Sequence, residues 1–189
     1  MDTQTILSIF LGIGLAASVG FRVFLPLFAL SLASYFGVWE LNANWEWIGS
    51  LVAVMTLGIA TLLEIFAYFI PWFDNLLDTL AVPLAAIAGT AVMVSTVANL
   101  DPVVTWSLAI IAGGGTATAI KGAGATGRLA STATTGGLAN PVLATVETGT
   151  AAVVTIASIF APMIAAVLVI IILAIIFRIY RRLRPRTKT

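Results

Sequence analysis

The chain contains neither cysteine nor histidine, and each absence removes a block of chemistry. Disulfides, thiolate metal sites, haem ligation and the usual general base near neutral pH are all excluded. Charge is scarce as well: Asp, Glu, Lys and Arg make up 9% of the 189 residues, against about 25% in a soluble domain. The net charge of +1 is carried by the C-terminal tail, too local to imply nucleic acid as a partner. What survives is carboxylate, lysine, arginine and hydroxyl chemistry, and no cofactor is implied.

What is abundant is apolar. Hydrophobic residues make up 60% of the chain and the mean hydropathy is +1.10, which predicts an integral membrane protein whose first partner is the lipid bilayer. The length allows about six spans of roughly 20 residues, so the expected fold is an all-α polytopic bundle forming one transmembrane domain over residues 1–189. The N-terminus, Met1 to Thr5, lacks a basic n-region, and the apolar segment behind it is too long for a signal peptide. It reads as a retained first span.

That first segment, Thr5 to about Phe36, contains Gly20, Arg22 and Pro26, which predict a kink. The tryptophan-bearing stretch from Gly37 to Trp47 reads as an interfacial loop. A second span follows over Ile48 to Ile70, then a short amphipathic turn from Trp72 to Asp78, then a third span over Thr79 to Ala98. Val103 to Ala112 opens the fourth span and passes into a segment from Gly113 to Gly137 made almost wholly of small residues, expected to be a broken helix or, alternatively, a helix packed tightly through its small residues and followed by a cytoplasmic loop. Spans five and six cover Pro141 to Phe160 and Met163 to Ile179, and a basic tail occupies 178–189.

By the positive-inside rule that tail is cytoplasmic, in a bacterial-type inner membrane, and an even span count puts the N-terminus on the same side. Acidic loops at Glu40, Glu46 and Asp101 then fall outside and the Lys121/Arg128 segment falls inside. A re-entrant hairpin at the kink would change the count and flip the N-terminus. Three spans on each side of Asn99 suggest inverted halves, 1–99 and 100–177, with Phe69-Ile70-Pro71 matching Phe160-Ala161-Pro162.

Seven ionisable residues lie in or beside the apolar stretches: Arg22, Glu64, Asp74, Asp78, Lys121, Arg128 and Glu147. Such groups are expensive in a bilayer, so they are the candidate substrate- or ion-binding residues. Asp74 and Asp78 are spaced i, i+4 and, with Glu64, suit a proton or hard cation; alternatively the acids neutralise the bases. Arg22, beside Pro26, is expected to face Glu64 or Asp74. Lys121 and Arg128 beside a glycine-interrupted helix suit a phosphate or carboxylate. The run Gly122-Ala123-Gly124-Ala125-Thr126-Gly127 matches a dinucleotide fingerprint in letters only, since no strand precedes it.

At these residues the chain resembles the membrane family of the domain of unknown function 4126. The resemblance rests on Gly20-Phe21-Arg22 with Pro26, on Glu64 with Ile70-Pro71, Asp74 and Asp78, and on Lys121, Arg128, Asn140-Pro141 and Glu147. It covers most of the chain and supports the six-span class and the choice of residues, but implies no activity or substrate. Two departures stand out: Tyr68-Phe69 replaces an Asp-Lys pair, and Glu147-Thr148 replaces an acidic pair.

Three functions fit. The first is a small transporter or channel-like permease, alone or as a homodimer, handling a proton, cation or small anionic solute. The second is a structural or assembly protein whose charges knit the bundle together. The third is an enzyme acting on a lipid head group through a divalent metal held by Asp74 and Asp78. An aqueous cavity reaching Glu64 would favour the first, and a dry, fully paired network the second.

Overall fold

The computed structural model of the chain describes residues 2–97 and 100–183, the side chains of residues 71–76, 78 and 183 excepted. Among the described residues every regular element is helical. The sequence punctuates these helices with local caps. Asp2 accepts from Thr5 N–H ahead of α1 (Thr3–Phe21), and Ser50 accepts from Ala53 N–H ahead of α3 (Leu51–Ala67). Asp101 does the same for α5 (Pro102–Leu108), and prolines open α4 (Pro71–Thr96), α5, α7 (Asn140–Phe160) and α8 (Pro162–Leu183). Each device satisfies or removes a backbone donor that a helix start leaves unpaired.

The kink expected near Arg22 is a complete break. Arg22 adopts an extended backbone, φ −135° and ψ 126°, which ends α1, and α2 (Phe24–Tyr35) starts two residues later. The chain then reverses. Trp39, beyond α2, donates its indole N–H to the Ile159 carbonyl at 2.9 Å and lines one cavity together with Leu7 and Pro162. Asn42 N–H donates to the Ser95 carbonyl at 2.9 Å, near the end of α4. The start of α1, the loop after α2, the end of α4 and the α7–α8 corner therefore meet at one end of the bundle, the tryptophan end. Arg22, Glu64, Tyr68 and Lys121 meet at the other.

This hairpin is the re-entrant alternative to a single kinked first span. α2 has 12 residues, about 18 Å of helix, well short of the ~30 Å hydrocarbon core. It nonetheless turns the chain back, so the start of α1 and the basic end of α8 lie at opposite ends of the bundle. Among the described residues five helices are long and apolar enough to cross a membrane, namely α1, α4 over Thr79–Thr96, residues 102–135, α7 and α8; a short 3₁₀ helix (Ala43–Gly49) joined to α3 at a 64° bend makes a sixth if the bent pair is one span. The turn expected over Trp72 to Asp78 is instead the start of α4, because Pro71 begins the helix there.

Lipid tails are as apolar as leucine, so membrane helices gain by close backbone approach rather than by burying oil. α1 is the central element, touching α4, α6 (Gly115–Thr135), α7 and α8, and it buries Leu11, Leu15, Ala16, Ala17 and Val19. α4 crosses a π-helical turn (Ala109–Gly114) at Gly89 and Gly113. A Cβ on Gly89 would stand 2.8 Å from the Gly113 carbonyl oxygen, and one on Gly113 2.5 Å from that of Gly89. The glycine-rich segment is therefore not broken: α5, the π turn and α6 run consecutively over 102–135. Gly113, Gly114 and Gly124 provide contact surface while their peptide groups stay in the helix.

Candidate functional site

A helix broken inside a membrane exposes carbonyls on one side of the gap and N–H groups on the other, and both must find partners in the protein. At the α1–α2 break the partners are charged. Lys121 donates its ammonium to the Phe21 carbonyl at 2.8 Å, at the negative end of α1. Glu64 accepts from Val23 N–H at 2.7 Å and Phe24 N–H at 2.9 Å, one on each oxygen, at the positive end of α2. Each charge thus meets the helix dipole with the favourable sign. Pro26 has no N–H to satisfy in the same first turn.

Arg22 fills the gap itself and is fully buried. Its Nε donates to the Thr148 hydroxyl and its Nη2 to the Ala144 carbonyl, both at 2.9 Å. The Thr148 hydroxyl is free to accept because its own hydrogen goes to the Ala144 carbonyl. Nη1 is buried and has no hydrogen-bond partner. The expected Arg22–Glu64 pair is absent among the described residues, because Glu64 is engaged by the start of α2.

Lys121 and Arg128 project from α6 at spacing i, i+7, two turns apart on one face, and both are 3% exposed. Arg128 forms an ion pair with Glu147 on α7. A Cβ at Gly124 would stand 2.7 Å from Glu147 Oε1, so glycine there leaves room for the carboxylate. The sequence treats Lys121 and Arg128 as a group apart from Arg22 and Glu64. They form one cluster.

Its centre is Tyr68, which the sequence reading did not select. The guanidinium carbons of Arg22 and Arg128 stand over its ring at 4.0 and 4.3 Å from the centroid, and the Lys121 ammonium lies at 5.6 Å. Two guanidinium groups do not fit on one face at such distances, so the ring lies between them. Cations about 8 Å apart repel by about 2 kcal/mol at an effective dielectric near 20, and each cation–π contact returns about 1–2 kcal/mol. The ring is therefore comparable in weight to the repulsion it separates. Tyr68 lies four residues after Glu64 on the same face of α3, the signal that could have found it.

A cavity of about 360 Å³ reaches Glu64 and Tyr68, but Val23, Phe24, Ala60 and Leu63 give it apolar walls. Among the described residues no group of three acids gathers as a metal site requires. The side chains of Asp74 and Asp78, on which the cation and metal readings lean, lie outside the described residues.

The break at Arg22 and the meeting of Glu64, Lys121, Arg128 and Glu147 bring together five of the residues that carried the family resemblance. The chain belongs to the family of the domain of unknown function DUF4126. The family's model matches residues 9–182, which takes in the whole cluster. No curated protein and no solved structure matches the chain. Both departures from the family pattern, Tyr68 and Thr148, contact Arg22: a neutral ring and a hydroxyl serve this guanidinium where the resemblance leads one to expect charge.

Proposed function

We propose that the protein is a small permease of a bacterial-type inner membrane, and that the solute it handles at the Arg22 cluster is a small anion. One observation carries the reading. Among the described residues the hydrogen bonds of Arg22 and Lys121, both buried, go to neutral acceptors, and Nη1 of Arg22 has no hydrogen-bond partner. A buried charged donor left without an acceptor is costly, and an anion delivering one or two oxygens to Arg22 Nη1 and Lys121 Nζ would relieve that cost. The described carboxylates are less suited to a cation, since Glu64 is engaged by two N–H groups and Glu147 by Arg128.

The frame proposed for such a site is an inverted pair with its boundaries redrawn. α2–α3–α4 and α5/α6–α7–α8 start from opposite ends of the bundle, and Pro71 and Pro162 open the last helix of each. α1 lies outside the pair as the central helix. With the basic end of α8 in the cytoplasm, the cluster lies toward the cytoplasmic side and the N-terminus is external.

The test is flux into proteoliposomes from outside chloride, phosphate or acetate. The expected result is uptake of one of them that falls at least tenfold in Arg22→Gln and in Lys121→Gln while thermal stability in detergent is retained. No uptake of any of them, or uptake indifferent to both substitutions, would sink the reading.

A second reading, in which the charges only hold the bundle together, is favoured by the use of Glu64 as a helix cap and by the apolar cavity beside it. It predicts that exchanging partners, Arg128→Glu with Glu147→Arg, restores both stability and function.

A further inference from the structure

α8 carries two characters on opposite sides. Val169, Ile172, Leu173 and Ile176 pack toward Ala17, Ile120 and Val154, and at about 100° per residue the mean direction of Arg178, Arg181 and Arg182 lies about 180° from theirs. The three arginines are exposed and follow one another at i, i+3 and i+4, so they share one face. Below them that face is apolar and exposed, through Val167, Ile170, Ile171 and Ile175. A lipid-facing stripe thus ends in three guanidinium groups.

We propose that this basic face binds the headgroup of an anionic phospholipid in preference to a zwitterionic one. Depth chooses the occupant. From Pro162, which opens α8 at the tryptophan end, about 24 Å of helix leads to Arg178 and about 30 Å to Arg182 at ~1.5 Å per residue. The guanidinium groups therefore reach the edge of a ~30 Å hydrocarbon core, where lipid phosphates lie. Long basic side chains extend along a helix to cover what depth remains, and a guanidinium meets a phosphate through two parallel N–H donors. A soluble protein or a nucleic acid would have to push into the headgroup layer to reach this face, whereas the lipid is already there.

Charge sets the kind of headgroup. Among the described residues no carboxylate pairs with these three arginines. The sequence from Thr148 to Thr189 contains no acid and adds Arg184, Arg186 and Lys188. Arg181 lies over the Phe177 ring at 5.7 Å from its centroid, a contact that leaves its N–H edge available to an oxygen. A zwitterionic headgroup would bring a further cation among these; an anionic one brings only the attraction that basic segments beside a membrane span exert. The site goes beyond the anion reading, since Arg22 and Lys121 are buried inside the bundle and the α8 arginines face out of it, and neither requires the other.

The probes are phosphatidylglycerol and phosphatidylcholine of the same acyl chains, offered in equal amounts to the full chain in detergent and read by native mass spectrometry. The wild-type chain is expected to retain phosphatidylglycerol several-fold over phosphatidylcholine. Arg178→Gln with Arg181→Gln and Arg182→Gln should abolish most of that preference, and Arg178→Lys with Arg181→Lys and Arg182→Lys should keep the larger part of it. Arg22→Gln should leave it intact, which separates this face from the buried cluster. Raising ammonium acetate from about 0.1 to about 1 M shortens the Debye length from ~10 to ~3 Å and should reduce the wild-type preference several-fold. Equal retention of the two lipids, a preference indifferent to salt or to the glutamine substitutions, lysines no better than glutamines, loss of the preference in Arg22→Gln, or displacement of phosphatidylglycerol by a short oligonucleotide would each overturn the proposal. The salt comparison uses the wild-type chain alone, so it decides even where a variant fails to fold.

Discussion

The two ends of the bundle solve the same problem by different means. At the tryptophan end, helix starts and loops are satisfied by neutral or exposed groups: the Trp39 indole on the Ile159 carbonyl, Asn42 N–H on the Ser95 carbonyl, and the exposed Asp101 carboxylate on Val103 N–H. At the charged end the chain breaks between α1 and α2, and the freed peptide groups are met by Glu64 and Lys121, both buried. Where water is near, a hydroxyl, an amide or a solvated carboxylate suffices; where it is excluded, a strong partner is needed, and each buried charge then requires a partner of its own. In the cluster around Tyr68, Arg22 Nη1 is buried and has no hydrogen-bond partner among the described residues.

If that difference is real, damage at the two ends should scale differently. The largest effect is expected from Glu147→Ala, which removes the carboxylate paired with Arg128 and should destabilise the protein by about 3–5 kcal/mol, as for other broken buried pairs. Thermal unfolding in detergent measures it. Replacing both partners, Arg128→Met with Glu147→Met, should recover part of the loss, because the guanidinium goes with its carboxylate. Next is Glu64→Ala, which orphans two N–H groups at the start of α2 and should cost about 2–4 kcal/mol at ~1–2 kcal/mol each. Hydrogen exchange at Val23 and Phe24 should accelerate with it.

At the tryptophan end the effects should shrink. Trp39→Phe removes one hydrogen bond to a carbonyl and is expected to cost about 0.5–1.5 kcal/mol, read in the same unfolding assay. Smallest is Asp2, exposed at the start of α1, where hydrogen bonds from Thr5, side chain first and then backbone, hold its carboxyl below the usual carboxylate value. Because the folded value lies below the unfolded one, the contribution is present above about pH 4 and fades as pH falls through the folded value. Protection of the Thr5 amide should follow that curve and lose its pH dependence in Asp2→Asn.

The site was legible in part because cost is legible: an ionisable residue inside an apolar run announces itself, and five of the seven candidates are described together in one cluster. Partners were not legible. Arg22 and Glu64 are opposite charges on neighbouring passes, and charge alone pairs them. The Glu64 carboxylate is instead held by the N–H groups of a helix start, a feature visible only once the chain is seen to break at Arg22. Tyr68 stayed hidden because aromatic residues abound in membrane spans, and only its place between two guanidinium groups distinguishes it. The small-residue segment over 113–137 had two open outcomes, unwound backbone or tight packing, and the contact of Gly113 with Gly89 on α4 selects packing.

Composition by itself determined that this chain is an all-α membrane bundle of five to six spans, since a helix satisfies its own peptide groups in hydrocarbon and the apolar runs set the number. Tertiary structure decided the rest. A 12-residue apolar helix carries too little length to say whether it continues a span or folds back, and the answer came from Trp39 reaching Ile159 and Glu64 reaching Val23 and Phe24. Those are contacts between residues far apart in the chain, so nothing local in the sequence encodes them.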